Sequence, residues 1–93
     1  MLAVIVLLSA CSPALYVPSM DDAIRSRVSA DSLTMGRTLY INHCGSCHNL
    51  RLPEHYTRKQ WGKELPEMQQ KAKISEEEAK LIANFVLARS KPE

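Results

Sequence analysis

Cys44, Cys47 and His48 stand in the order CGSCH, and this pentapeptide concentrates the reactive chemistry of the chain. Two thiols three positions apart lie on one side of a helical turn, where both can reach the vinyl groups along one edge of a porphyrin and form thioethers. The imidazole that follows is placed to take the iron as its proximal ligand. Gly45 and Ser46, between the thiols, are small enough to let a flat macrocycle approach the backbone. A zinc site would need a second pair of ligands at comparable spacing, for which only His43 and His55 remain. A redox-active CxxC belongs beside a βαβ pattern, and no strand pair is legible here. The expected cofactor is therefore one haem c, covalent through Cys44 and Cys47, with His48 on its iron.

The third cysteine follows an apolar run. Residues 2–8 are continuously apolar, too short a stretch to span a bilayer but the length of a signal-peptide core. Leu8, Ser9, Ala10 and Cys11 then resemble the lipobox of a bacterial lipoprotein. That resemblance implies a signal peptide over residues 1–10, cleavage before Cys11, and acyl chains on Cys11 that hold the protein on the periplasmic side of a membrane. Ser12, in place of an aspartate, implies the outer membrane. No Lys or Arg precedes the apolar run, so the expected translation start lies upstream of Met1. Over residues 11–30, Pro13, Pro18, Asp21, Asp22 and scattered serines leave no sustained apolar face. This stretch is expected to be a lipidated tether, with at most a short helical turn over residues 23–28.

Residues 31–93 then hold the expected domain. At about sixty residues it buries too little apolar surface to be comfortably stable unaided, and a covalent cofactor would serve as its staple. Asp31 can cap a first helix in which Leu33, Gly36, Tyr40 and Cys44 recur at intervals of three and four and mark one buried face. Thr57 and Gln60 form a capping box ahead of Trp61, Leu65 and Met68, which share a face; Pro66 is expected to end or kink that helix. Ser75 and Glu78 form a second box, opening a helix with the i,i+4 pairs Leu81 and Phe85, and Ile82 and Val86. The outer two helices should pack together, Gly36 and Tyr40 against Phe85. The expected fold class is all-α, with three to four helices.

Gly36, Leu39, Tyr40 and CGSCH, followed by Trp61, Met68, Ala72 and a last helix with Phe85, resemble a small class I mono-haem cytochrome c domain over residues 31–91. The resemblance implies a small cytochrome c fold wrapped around the haem, with Met68 as the distal axial ligand and His55 as the alternative. It also implies Trp61 at the haem propionates; Arg51 and Arg58 are alternatives there but are expected as solvated side chains, and the second ring nitrogen of His48 needs an acceptor, expected in a carbonyl near Leu52 or Pro53. With His48 and Met68 both on the iron, no position is left for a substrate. The expected role is then a membrane-tethered single-electron carrier in a periplasmic redox chain, not an enzyme, with redox proteins as donor and acceptor. Two other classes stay open: a haem-binding subunit of a larger oxidoreductase complex, and a haem sensor or enzyme with an open sixth position. The net charge of +2, with both signs mixed along the chain, gives no footprint for nucleic acid. The mildly basic set Arg51, Arg58, Lys59 and Lys63 is an expected docking rim for an acidic redox partner.

Overall fold

In the computed structural model, residues 15–44 and 50–93 are described. Cys11, Cys47 and His48 lie outside them. Each helix begins where a hydroxyl can take an amide left free by the first turn. Ser19 caps α1 (Met20–Ser26), Ser29 caps α2 (Ala30–His43), Thr57 caps α3 (Arg58–Ala72) and Ser75 caps α4 (Glu76–Leu87). A short 3-10 turn, Pro53–His55, leads into α3. The expected capping boxes Thr57/Gln60 and Ser75/Glu78 are both present. Asp31 is not the cap of α2: Ser29 takes that position, and Asp31 sits in the first turn, where its carboxylate complements the helix dipole. Among the described residues there is no strand; Thr57 and Lys91 make a lone bridge.

The helices enclose one core, centred on α2 and α4. Leu33, Gly36 and Tyr40 are buried on α2, and Ile82, Phe85 and Val86 on α4. Gly36 is where the two backbones meet, because a Cβ at this position would overlap the Leu81 carbonyl and lie 2.9 Å from Phe85 Cβ. Tyr40 packs at 6.0 Å, centroid to centroid, from Phe85 and edge-on at 6.2 Å from Trp61, while its hydroxyl donates to the Arg51 carbonyl.

Two features depart from expectation. Of the two expectations for Pro66, to end or to kink α3, the first does not hold: the helix continues to Ala72. The bond that proline removes is the one to the Gly62 carbonyl, and both residues lie on the exposed side of the helix, where water can take the freed carbonyl. The second departure is in the stretch expected to be a tether. Leu15 and Tyr16 belong to the core, and α1 follows them, opened by a capping box between Ser19 and Asp22. The Tyr16 ring stacks on Phe85 at 4.6 Å and its hydroxyl donates to the Phe85 carbonyl. Arg37 Nε donates to the Tyr16 carbonyl at 2.9 Å. Asp22 is 1% exposed and takes two bonds from Arg89, at 2.8 and 3.0 Å, so α1 is tied to the end of α4. An aromatic stack of this kind contributes about 1 kcal/mol beyond the area it buries.

Candidate functional site

The last residue described before the CGSCH thiol pair is completed, Cys44, follows directly on the end of α2. Its backbone amide donates to the Tyr40 carbonyl, so the buried face of α2 delivers the thiol to one end of the core. A cleft of about 370 Å³ opens there, between the second half of α3 and the first half of α4. This is within the roughly 300–1,000 Å³ usual for small-molecule sites. Cys44 and Met68 both line it, with Leu65, Ile74 and Ile82 supplying apolar wall. Ala79 and Ala83, one turn apart on α4, also line it; their short side chains leave the space that leucine or phenylalanine would fill. Lys80, Glu76 and Gln69 bring polar groups to the same cleft.

Burial pushes the Cys44 thiol up to about 11. Reactive CxxC cysteines have lowered values, because a nearby positive charge or helix N-terminus stabilises their thiolate. Cys44 has the opposite environment and stays a thiol at neutral pH. Among the described residues, no three His, Cys, Asp or Glu side chains converge on a point that could hold a metal ion. The cleft therefore carries the Cys44 thiol and the Met68 thioether together with the Glu76 carboxylate, the Lys80 ammonium and the Gln69 amide. The two sulfur groups are soft donors of the kind that ligate haem iron.

Other residues singled out by the sequence are placed elsewhere. Trp61, expected at the cofactor, is fully buried and is absent from the lining of the cleft. Its Nε1 donates to the Pro53 carbonyl at 2.9 Å, and its ring stands edge-on to Tyr56 at 5.0 Å. The donor that would reach a propionate is thus already used inside the protein. Trp61→Phe should lower stability by about 1–2 kcal/mol through loss of that one buried bond, measured by urea denaturation, while leaving the spectrum of any bound cofactor unchanged. A spectral change would show that the indole reaches the cofactor after all.

His55 ends the 3-10 turn and is exposed, outside the cleft lining, while Met68 is on it. His43 is exposed at the last position of α2. Arg51 is exposed, its guanidinium 5.4 Å from the centroid of the Tyr56 ring, and Arg58 and Lys59 are exposed at the start of α3. The Leu52 and Pro53 carbonyls, expected near His48, already accept from the His55 amide at 3.0 Å and from Trp61 respectively. Sequence reasoning missed Ala79 and Ala83, whose only signal is their i,i+4 spacing on the helix flank beside Ile82. No family model matches the chain, and no curated protein or solved structure matches it either.

Proposed function

We propose that the chain is a mono-haem c-type cytochrome, a membrane-tethered carrier of single electrons that acts on the periplasmic side of a bacterial membrane and exchanges electrons with other redox proteins. The observation that carries the reading is the cleft: Cys44, the first thiol of CGSCH, and Met68, a thioether distant in sequence, both line it. In this reading Cys44 and Cys47 hold the haem, and His48 and Met68 are its axial ligands. The haem supplies reversible ferrous–ferric exchange, and a sulfur ligand favours the ferrous form. The chain's own part is to hold the thioether in place on a continuous helix, to keep water from the cleft with Leu65, Ile74 and Ile82, and to leave room with Ala79 and Ala83. Cys11 bears the lipid. The all-α architecture, with the end of α2 beside α3 and α4, is compatible with a small cytochrome c fold.

The test is production of the full chain in bacteria with haem-ligation machinery. The expected product is coloured, with a mass raised by one haem that survives denaturation. A colourless protein with the mass of the bare polypeptide plus lipid overturns the reading. Within the coloured protein, Met68→Ala should abolish the sulfur-to-iron charge-transfer band and lower the midpoint potential by on the order of 0.1 V. His55→Ala should change neither. If the two variants exchange these behaviours, His55 is the ligand.

A further inference from the structure

We propose that the domain does not hang from its anchor but lies against the bilayer, with Val17, Met20 and Ile24 seated in the lipid interface. The inference deepens the reading of Cys11 as the lipid-bearing residue and rests on it. Its second support is the fixed start of the fold. Leu15 and Tyr16 are core residues, held by the Tyr16–Phe85 stack and by Arg37 bonding to the Tyr16 carbonyl. Only four residue steps separate Cys11 from Leu15, and fully extended they reach at most about 14 Å. An acylated Cys11 sits at the membrane surface, so the surface around Leu15 cannot leave it by more than that distance.

The surface that this short leash presents is unusually apolar. Val17, Met20 and Ile24 are 68%, 69% and 71% exposed, three of the four most exposed large apolar side chains among the described residues. Met20 and Ile24 stand one turn apart on α1, on the side turned away from the buried Asp22. Val17 lies just ahead of them, before the helix begins. Arg27 is exposed close by, suited to anionic headgroups, while Arg25 is paired with Asp21 at 3.0 Å and Asp22 at 2.8 Å. Among the described residues no helix is long and apolar enough to cross a membrane. A short apolar face with a basic neighbour, held next to an acyl anchor, instead enters the headgroup boundary by about 5–10 Å.

The experiment uses the full lipidated protein in vesicles of phosphatidylethanolamine with phosphatidylglycerol, photolabelled in parallel by a water-soluble diazirine and by a diazirine carried on a lipid chain. A second protein carries a flexible Gly/Ser spacer of about twenty residues after Ser12, long enough to free the domain from the surface. In the native-length protein the water-soluble label at Val17, Met20 and Ile24 should be several-fold weaker than in the spacer protein, and the lipid-borne label several-fold stronger. Met35, 54% exposed on α2, is the reference and should be labelled equally in both. Replacing Val17, Met20 and Ile24 by Ser should abolish the lipid-borne label on α1 while the protein still sediments with vesicles. Acylated proteins labelled alike at all three positions overturn the placement alone. A mature mass without acyl chains overturns the anchor, and the placement with it.

Discussion

Gly36→Ala is expected to destabilise the protein by about 3 kcal/mol, the upper end of overpacking costs, although alanine is ordinarily the better helix former by about 1 kcal/mol. The sign is decided by what the added methyl would meet. Its ideal position overlaps the Leu81 carbonyl oxygen and lies 2.9 Å from both the Leu81 carbonyl carbon and Phe85 Cβ. Two of these three atoms are backbone, so no side-chain rotamer can relieve the contact, and α2 and α4 must move apart along the face that buries Leu33, Tyr40, Ile82 and Phe85. In a domain this small the loss corresponds to a fall in Tm on the order of 15 °C. Gly62→Ala supplies the comparison: nothing lies within 4 Å of its added carbon, and it is exposed on α3. That variant should be unchanged or more stable by about 0.5–1 kcal/mol. Thermal melts of the two variants beside the parent, in the same cofactor state, decide the matter. If Gly36→Ala melts like the parent, the close crossing of the helices is not what holds them.

Much of this crossing was legible because it is periodic. Leu33, Gly36 and Tyr40 on one helix, and the Leu81/Phe85 and Ile82/Val86 pairs on the other, repeat at helical spacing, and a glycine on an apolar stripe has one obvious use. The boxes at Thr57 and Ser75 were legible for a similar reason, since both partners lie within four consecutive residues. What escaped the sequence is long-range and has no period. Tyr16 meets Phe85 from 69 positions away, and Asp22 meets Arg89 from 67. A single aromatic residue ahead of Pro18 and a pair of aspartates look the same in a solvated linker as in a strap locked to a core. Pro66 does not end its helix because the carbonyl whose bond it removes belongs to Gly62, an exposed residue that water can reach, and a proline in the sequence does not show where that carbonyl faces. At the candidate site, it was the resemblance to a small cytochrome c domain that singled out Met68 and Trp61, and of the two only Met68 lines the cleft. Phase fixes a face, not which of the two objects against that face a side chain touches; the Pro53 carbonyl claimed the indole.

The strap that escaped the sequence also sets the expected response to acid. Asp22 takes bonds from Arg89 at 2.8 and 3.0 Å, from Arg25 at 2.8 Å, and from the Ser19 amide and hydroxyl at 2.9 Å each. The Arg89 bonds above all, with those from Ser19, hold its carboxyl far below the ordinary value of 3.8, although burial alone would raise it. A carboxyl that binds its proton less readily when folded stabilises the fold wherever it is ionised in both states. That contribution is complete well above pH 3.8 and fades as the pH falls below it, because the unfolded chain then takes up a proton that the folded chain resists. Asp22→Asn keeps the shape but loses the charge, and turns an amide towards two guanidinium groups. At pH 7 it should cost about 3 kcal/mol, the range for removing charged hydrogen bonds at a buried position. The pH dependence is the sharper test. Urea midpoints of parent and variant should differ most at neutral pH and converge as the pH is lowered through 4 towards 2, since every other carboxylate titrates in both proteins and cancels from the difference. A gap that stays constant over that range would mean that the cost comes from the amide turned towards the guanidinium groups, with the charge of Asp22 contributing nothing to the tie between α1 and α4.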